Sequence, residues 1–455
     1  MKFSKFCHAI SIEDDVVALW NSLWLRVVYV QGEMRQIIQQ AMSMNDFGEL
    51  TTLVSPELFD QAKGLESDLI KEKMIVQSDD TDLEKLSELR QVIDSLPIGI
   101  MYLILATDCN LRCSYCYLAK SISNVQCGKN TRMSPKTARQ AIELMTRVAK
   151  SNGSSEVEYI FYGGEPLLNM ETMKAAIKWS KNFPSIHSVF TVNTNATLID
   201  ESIVQFLKDH DVLVAISIDG PKDIHDSCRV NAAGKGSFDK VIRGYRILRR
   251  FGVNTNISCT VTPQNVSHIR ETTEWLIEQL GAESIDLNLM LGKFDTKKGQ
   301  RQYAHQAAHA ILSAHSYAKQ HGIYFERVMK IVKPLATGYV AFNSCAGCGQ
   351  QIVVKPDGSV GTCQGLLNQD NTFIPNMEEV NYSNHPLWMK WRRRSPFNIA
   401  PCLDCEALGT CGGGCPYSSM LNTGDIMDLD TVHCTFAKEV LRYTLKELWA
   451  NMSSN

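Results

Sequence analysis

Residues 100–122 read IMYLILATDCNLRCSYCYLAKSI. The first eight positions are apolar or β-prone and predict a buried strand over 100–107. A loop follows, with thiols at Cys109, Cys113 and Cys116. Three thiolates at such small spacings can wrap one cube of iron and sulfur, and a [4Fe-4S] cluster takes four to close. No fourth cysteine adjoins them, so one iron is left open to hold something else. A structural zinc loop is the alternative reading, and it too needs a fourth ligand, which neither Cys nor His supplies at short range.

Outward from this loop the chain alternates. A helix is predicted over 134–149, with Ser134 as cap and Pro135 in its first turn. VEYIFY (157–162) is the next strand and runs straight into Gly163-Gly164-Glu165-Pro166. Further strands are expected at 187–195, 212–220, 253–261 and 284–291, separated by helices near 170–180, 200–209, 238–250 and 267–280. Six βα units with apolar strands imply an α/β fold, a parallel and partly closed (β/α)6 barrel. The unusual residues follow strand ends, the face where such folds place chemistry. Paired glycines permit close backbone approach to a ligand, and Glu165 can accept hydrogen bonds from an ammonium. A helix near 299–322 carries His305, His309, His315 and His321 among Gln, Lys and Arg, and reads as a solvated face rather than a metal site.

The 455 residues exceed what one core usually holds, so two or three domains are expected. Residues 1–95 form the first. ALWNSLWLRVVYV (18–30) reads as one or two strands, EMRQIIQQAM as a short helix, 55–76 as a helix with a strand-like end, and 81–93 as a linker helix. That order fits a small winged-helix arrangement. The barrel takes 96–325 and a cysteine-rich region takes 326–455. Charge is nearly balanced, 46 basic against 49 acidic side chains, which gives no general pull toward nucleic acid. The amino terminus lacks an apolar h-region, and no stretch approaches the about 18 apolar residues that would span a bilayer, so a cytoplasmic protein is expected. Fifteen cysteines in such a chain are not a disulfide framework. Eleven lie in 109–116 and 345–434; Cys7, Cys127, Cys228 and Cys259 are scattered and read as small buried side chains. The carboxyl region holds Cys345, Cys348 and Cys363, with a hairpin turn at Pro356-Asp357-Gly358, then Cys402, Cys405, Cys411, Cys415 and Cys434. Eight thiols suffice for two four-thiolate clusters or two zinc sites, and spacing alone leaves both open.

The CxxxCxxC motif with Tyr115 before its last cysteine resembles the radical S-adenosylmethionine (SAM) superfamily. The resemblance implies that the open iron chelates the amino and carboxylate groups of SAM. One electron then cleaves the C5′–S bond, and a 5′-deoxyadenosyl radical abstracts a substrate hydrogen. It assigns Gly163, Gly164, Glu165 and Pro166 to the methionine amino group and Tyr115 to the adenine. Asn193 or Asn195 and Ser217 fall to the ribose and carboxylate. The run CxxCx5CxxxC with a distant cysteine resembles the SPASM extension of peptide-modifying members. By position it implies an auxiliary cluster on Cys345, Cys348, Cys363 and Cys415 and another on Cys402, Cys405, Cys411 and Cys434, making three [4Fe-4S] clusters in all. Ser217-x-Asp219-Gly220, His225-Asp226 and Arg229 belong to the same subgroup signal. Residues 1–95 look similar to the winged-helix element that grips the leader of a ribosomally made precursor. The expected protein is thus a radical SAM/SPASM peptide maturase that forms a thioether from Cys to an α- or β-carbon. Carbon–carbon crosslinking, epimerisation and oxidation of the sulfatase-maturase kind are alternatives; a non-enzymatic cluster-bearing electron carrier is another. One departure bears on the choice: sulfatase maturases carry an aspartate after the third auxiliary cysteine, and Gln364 stands here. Partners implied are the precursor peptide and a small electron donor such as flavodoxin or ferredoxin, with no nucleic acid and no membrane. No residue is assigned as a general base.

Overall fold

The computed structural model describes residues 1–453 except 45, 47, 120–130, 368, 370 and 371. Cys127 lies outside the described residues. Near the amino end β1 (Lys2–Phe3) is followed by a meander of β2 (Cys7–Glu13), β3 (Val16–Asn21) and β4 (Arg26–Gln31). Then come α1 (Glu33–Met42), α2 (Phe59–Lys71), β5 (Ile75–Val76), which pairs with β1, and α3 (Asp80–Ser95). The predicted 18–30 stretch is therefore two strands, turned at Leu25 with φ of 56°.

The central sheet begins with β6 (Ile100–Ala106), the strand that delivers the cysteine loop. It continues through α4 (Pro135–Ser151), β7 (Glu156–Gly163), α5 (Met170–Ser180), β8 (His187–Thr194), α6 (Glu201–Asp209) and β9 (Leu213–Ser217). After these come α7 (Lys222–Cys228), α8 (Phe238–Phe251), β10 (Thr255–Val261), α9 (Ile269–Glu278), β11 (Ser284–Leu289), α10 (Lys297–Gln320), β12 (Tyr324–Phe325) and α11 (Glu326–Thr337). Ser134 caps α4 by accepting from the Thr137 amide at 3.1 Å, and Asp200 caps α6 through Ile203 at 2.9 Å. Strands β6 to β12 are all parallel and lie side by side in chain order, each joined to the next through helix, as parallel pairing requires. Strands β10 and β11 alternate strictly. Ile257, Cys259, Val261, Ile285 and Leu287 are buried, while Ser258, Asp286 and Asn288 share the opposite, half-buried face. The sheet thus has one apolar face packed under helices and one polar face.

The carboxyl region adds β13 (Gln351–Val354) and β14 (Val360–Gly361), the expected hairpin, then α12 (Pro386–Arg392), α13 (Pro416–Thr423) and α14 (Thr431–Ser453). Strand β13 pairs in parallel with β6, so the sheet runs β12-β11-β10-β9-β8-β7-β6-β13-β14. This pairing sets the second cysteine region beside the first. Helix α14 covers α10 and also the β2–β4 meander. Trp20 donates from Nε1 to the Glu406 carbonyl at 2.7 Å, Tyr29 from its hydroxyl to that of Leu445 at 2.7 Å, and Arg90 from Nε to that of Phe397 at 2.9 Å. The amino-terminal residues also hold a small core of their own around Val17, Leu19, Ile38, Leu50 and Leu69. His315, expected on a solvated face, is buried instead. It is 8% exposed, between Phe325 and Tyr443, because α14 roofs that side of α10. His305 does face outward, 3.8 Å from Glu439. Cys7, Cys228 and Cys259 are buried as expected.

Candidate functional site

The loop after β6 is stitched to the loop after α7. Arg112 donates its amide to the Val230 carbonyl at 2.6 Å, and Ser114 donates to Cys228 at 2.9 Å. The Tyr115 hydroxyl donates to Asp219 Oδ2 at 2.5 Å. Asp219, just past β9 and fully buried, also takes Arg229 Nε at 2.7 Å, Arg229 Nη2 at 3.3 Å and the Thr260 amide at 3.0 Å. Burial alone would push the Asp219 carboxyl up, but the Arg229 charge and these donors outweigh it and hold the group below its ordinary value. Arg229 lies 5.4 Å from the Tyr115 ring centroid and 4.0 Å from Cys113 Sγ. One buried ion pair therefore fixes the aromatic of the cysteine motif and sets a cation beside a thiol. His225 backs the pair, accepting from the Asp219 amide at 3.4 Å; burial and the Arg229 charge push its imidazole down to about 4, so it is neutral.

Gly163 and Gly164 press on the same loop. A Cβ on Gly163, whose φ is 137°, would stand 2.0 Å from the Ala106 oxygen; one on Gly164 would stand 2.2 Å from the Asp108 oxygen. Without side chains the two backbones bond instead, Gly164 to Ala106 at 2.8 Å and Glu165 to Asp108 at 3.0 Å. Glu165 is 1% exposed, and its oxygens already accept from the Leu167 amide (3.1 Å), Thr194 Oγ1 (2.6 Å) and the Asn195 amide (2.9 Å). Burial pushes its carboxyl up to about 7 against those donors. Its first duty here is to join the ends of β7 and β8, a role that motif spacing does not reveal; Pro166 is buried in the short turn that follows. Asn195 is buried too, donating from Nδ2 to Asn110 Oδ1 at 2.9 Å and standing 3.8 Å from Cys109 Sγ. Asn193 and Ser217 are half-buried at the ends of β8 and β9. Asn193 pairs with Ala215, two residues before Ser217, so both side chains share the polar face.

The eleven motif cysteines gather in three sets, none in a disulfide. Burial pushes the Cys109 thiol up to about 12 and raises Cys113 and Cys116, with the neighbouring thiols adding repulsion at Cys109 and Cys113. Burial also raises Cys348 and Cys363 and takes Cys415 to about 12, and each of these three feels Cys345. A third group is Cys402 and Cys411, both pushed to about 12 by burial, with Cys434 raised as well and Cys405 felt by all three. Cys411 and Cys415 are close in sequence but face different groups. Gly412, Gly413 and Gly414 between them take φ of 65°, 81° and 74°, and a Cβ on Gly412 would lie 2.4 Å from the Asn343 carbonyl carbon.

Four sulfurs accept a hydrogen bond from the amide two residues on: Cys109 from Leu111 (3.4 Å), Cys345 from Gly347 (3.3 Å), Cys363 from Gly365 (3.3 Å) and Cys411 from Gly413 (3.2 Å). Amides aimed at sulfur suit thiolate ligands of iron–sulfur clusters. Among the described residues, no three His, Cys, Asp or Glu side chains converge at the range of a single metal ion. A cube of iron and sulfur holds its thiolates farther apart than one zinc ion does. All-thiol donor sets with amides aimed at sulfur are chemically suited to iron–sulfur clusters.

Four tyrosines that pattern reading missed gather around Cys363, and two of them, Tyr162 and Tyr417, also feel Cys116. The Tyr117 and Tyr162 hydroxyls are 2.6 Å apart, Tyr102 meets Tyr162 edge-on at 5.6 Å, and the Tyr117 and Tyr417 rings are 5.9 Å apart. Their only local signal is position: Tyr117 follows Cys116 and Tyr162 precedes Gly163. Gln364 is oriented by Gln351, which donates to its Oε1 at 3.1 Å.

Residues 103–276 match the radical SAM superfamily. A cysteine-type anaerobic sulfatase-maturating enzyme of Clostridium novyi is 31% identical over 365 residues, 74% of this chain and 94% of that enzyme. The structure of anSMEcpe with bound AdoMet and the Cp18Cys peptide superposes with a TM-score of 0.63 at 21% identity, covering 79% of this chain and 100% of that one. Streptococcus suis SuiB bound to its precursor peptide SuiA aligns with a TM-score of 0.52 at 15% identity, over 95% of this chain and 99% of that one. SuiB shares the fold; the cysteine loop at the end of β6, the glycine pair against it and the Clostridium novyi relative together show that the chain belongs to the radical SAM superfamily, as an enzyme with a SPASM-like carboxyl-terminal extension homologous to the anaerobic sulfatase-maturating enzymes.

Proposed function

We propose that the protein oxidises a cysteine of a peptide substrate. SAM would bind on the cluster of Cys109, Cys113 and Cys116, and the two carboxyl-terminal sets would hold auxiliary clusters. The observation that carries this reading is that eleven free thiols act on one another in groups of three, four and four, with backbone amides aimed at sulfur in each group. When bound, the first cluster and SAM supply a radical that takes hydrogen from the substrate. The chain itself holds the cysteine loop through Asp219 and Arg229, and it seats the glycine turn through Glu165. The tyrosines wall the space between the first and second thiol sets. Tyr115, Asn193, Asn195 and Ser217 are the side chains we assign to SAM beside Gly163 and Gly164. Single-electron delivery calls for a small donor of the flavodoxin or ferredoxin kind, and a reducing compartment such as the cytoplasm suits eleven ligand thiols. No helix of the described residues is long and apolar enough to cross a membrane.

Two outcomes of that oxidation have separate support. Likeness to a cysteine-type sulfatase-maturating enzyme favours oxidation of a single peptidyl cysteine. Gln364, where sulfatase maturases have an aspartate, and the extra residues 1–95 favour a thioether crosslink in a leader-bearing precursor. Intact mass separates them: a thioether costs the peptide two hydrogens and keeps its sulfur, whereas aldehyde formation loses the sulfur.

Leader binding is assigned to β4, which among the described strands pairs only with β3 and so leaves one edge open. A peptide could add a strand there. Of adjacent Val27 and Val28, one amide points to β3 and the other to the open edge. Proline at the outward one is expected to leave the fold and peptide-free SAM cleavage intact. Binding of a labelled precursor should weaken about tenfold, roughly one hydrogen bond's worth. Fluorescence anisotropy with the full chain reads this, and wild-type affinity in both V27P and V28P would remove β4 from the account. Deleting residues 1–80 is a poorer test, because Trp20 and Tyr29 are bonded into the rest of the molecule.

A further inference from the structure

The run Trp391-Arg392-Arg393-Arg394 sets three cations side by side in sequence, and the structure separates them. Arg393 is exposed, 3.7 Å from Asp94. Arg392 is largely buried and donates to the Asp94 and Ser383 carbonyls at 3.2 and 3.3 Å. Arg394 is 1% exposed and makes no ion pair among the described residues. Its Nη1 donates to the Ile426 carbonyl and, at 3.0 Å, to that of Asp428; its Nη2 donates to the Gly413 carbonyl at 2.8 Å and to Ser419 Oγ at 2.9 Å. Its buried Nε has no partner. Every acceptor is neutral. A buried guanidinium without a carboxylate is unfavourable unless some other negative charge compensates it.

The position of those acceptors says where that charge lies. Gly413 sits between Cys411 of one four-thiol set and Cys415 of the other. Ser419 is on α13, which starts directly after Cys415, and Ile426 and Asp428 lie on the segment leading to Cys434. The Arg394 charge is felt at Cys348 in one four-thiol set and at Cys402 in the other. Asp430, the buried carboxylate of this region, accepts from the Cys415 amide at 3.0 Å, Ser418 Oγ at 3.0 Å and the His433 amide at 3.4 Å, and makes no ion pair with Arg394. Four thiolates outweigh the charge of an oxidised cube, and one-electron reduction makes the site more negative still.

We propose that Arg394 is the shared counter-charge of the two auxiliary clusters, a positioning residue that joins their loops and raises the reduction potential of both. A fixed cation in a low-dielectric site favours the more negative, reduced state of each cluster. This makes both better acceptors of an electron released when substrate is oxidised. The inference rests on the proposed ligand sets.

The test uses the full, iron-loaded chain under anaerobic conditions, with iron analysis followed by redox titration read by electron paramagnetic resonance. R394M is expected to keep the iron of all three sets, move both auxiliary potentials to more negative values and leave the Cys109-set cluster unmoved. R394K, which keeps the charge and loses most of the fork, is expected to return both potentials toward wild type. Full iron with unchanged potentials in R394M would overturn the proposal. If R394M instead sheds auxiliary iron, R394K decides: retained iron with near wild-type potentials supports the charge role. Loss of iron there as well shows that the hydrogen-bond fork alone matters and overturns it. Wild-type protein with only one cluster's iron would sink the three-cluster reading itself, before any variant is compared.

Discussion

Alanine at Cys109, Cys113 and Cys116 together is expected to abolish SAM cleavage while about 8 of about 12 irons stay bound. The two carboxyl-terminal sets are built on β13, β14 and the loops around α13, with their own amide-to-sulfur bonds, so they do not need the first loop's ligands. Anaerobic iron analysis with Mössbauer spectra and chromatographic detection of 5′-deoxyadenosine read both halves of the result. Zinc in the carboxyl sites of the wild type, or iron lost from all three sets in the variant, would count against the assignment.

The Asp219→Ala change is expected to do the second greatest damage. It strips the buried Arg229 of its carboxylate and frees Tyr115, and breaking a buried pair from one side costs about 3–5 kcal/mol. The Cys109–Cys116 loop should lose its iron first, because Tyr115 and Arg229 hold that loop, while the auxiliary iron stays. Adding Arg229→Met should recover part of the thermal stability, since no unpaired charge then remains buried, yet should not restore SAM cleavage. The pH dependence follows from the sign of the Asp219 shift. Its folded value lies below the ordinary 3.8, so the pair's contribution is complete above that value and is lost as pH falls through the folded one. Wild type should therefore lose stability in acid more steeply than Asp219→Asn. Melting curves of the two proteins from pH 6 down to about 3 read the difference; parallel curves would mean that Asp219 does not hold the loop by charge.

These effects concern residues whose importance sequence shows unevenly. The cysteine loop, the glycine pair and the βα alternation are legible because each is local. Ligands of one cluster loop lie within a few residues, and an apolar strand followed by a capped helix is written in one short window. The pairing of β13 with β6 is not legible, since Gln351 and Ile100 are far apart in the chain and the hairpin explains itself without a third strand. The roofing of the β2–β4 meander by α14 is hidden for the same reason. So is the burial of His315, which only α14 covers. Nothing in the run of three arginines tells Arg394 from its neighbours: Arg392 and Arg393 reach the Asp94 region while Arg394 turns inward. Glu165 carries a second role its motif does not show: its visible bonds tie two strand ends together.

The central claim, radical oxidation of a cysteine in a peptide, is tested most directly by incubating the reduced, iron-loaded protein with SAM and a synthetic cysteine-containing peptide. The intact mass of the product is then measured. The account expects 5′-deoxyadenosine together with a peptide lighter by two hydrogens whose cysteine resists alkylation, or one that has exchanged its sulfur for an aldehyde oxygen. A peptide of unchanged mass with an alkylatable cysteine, while SAM is consumed, would contradict it.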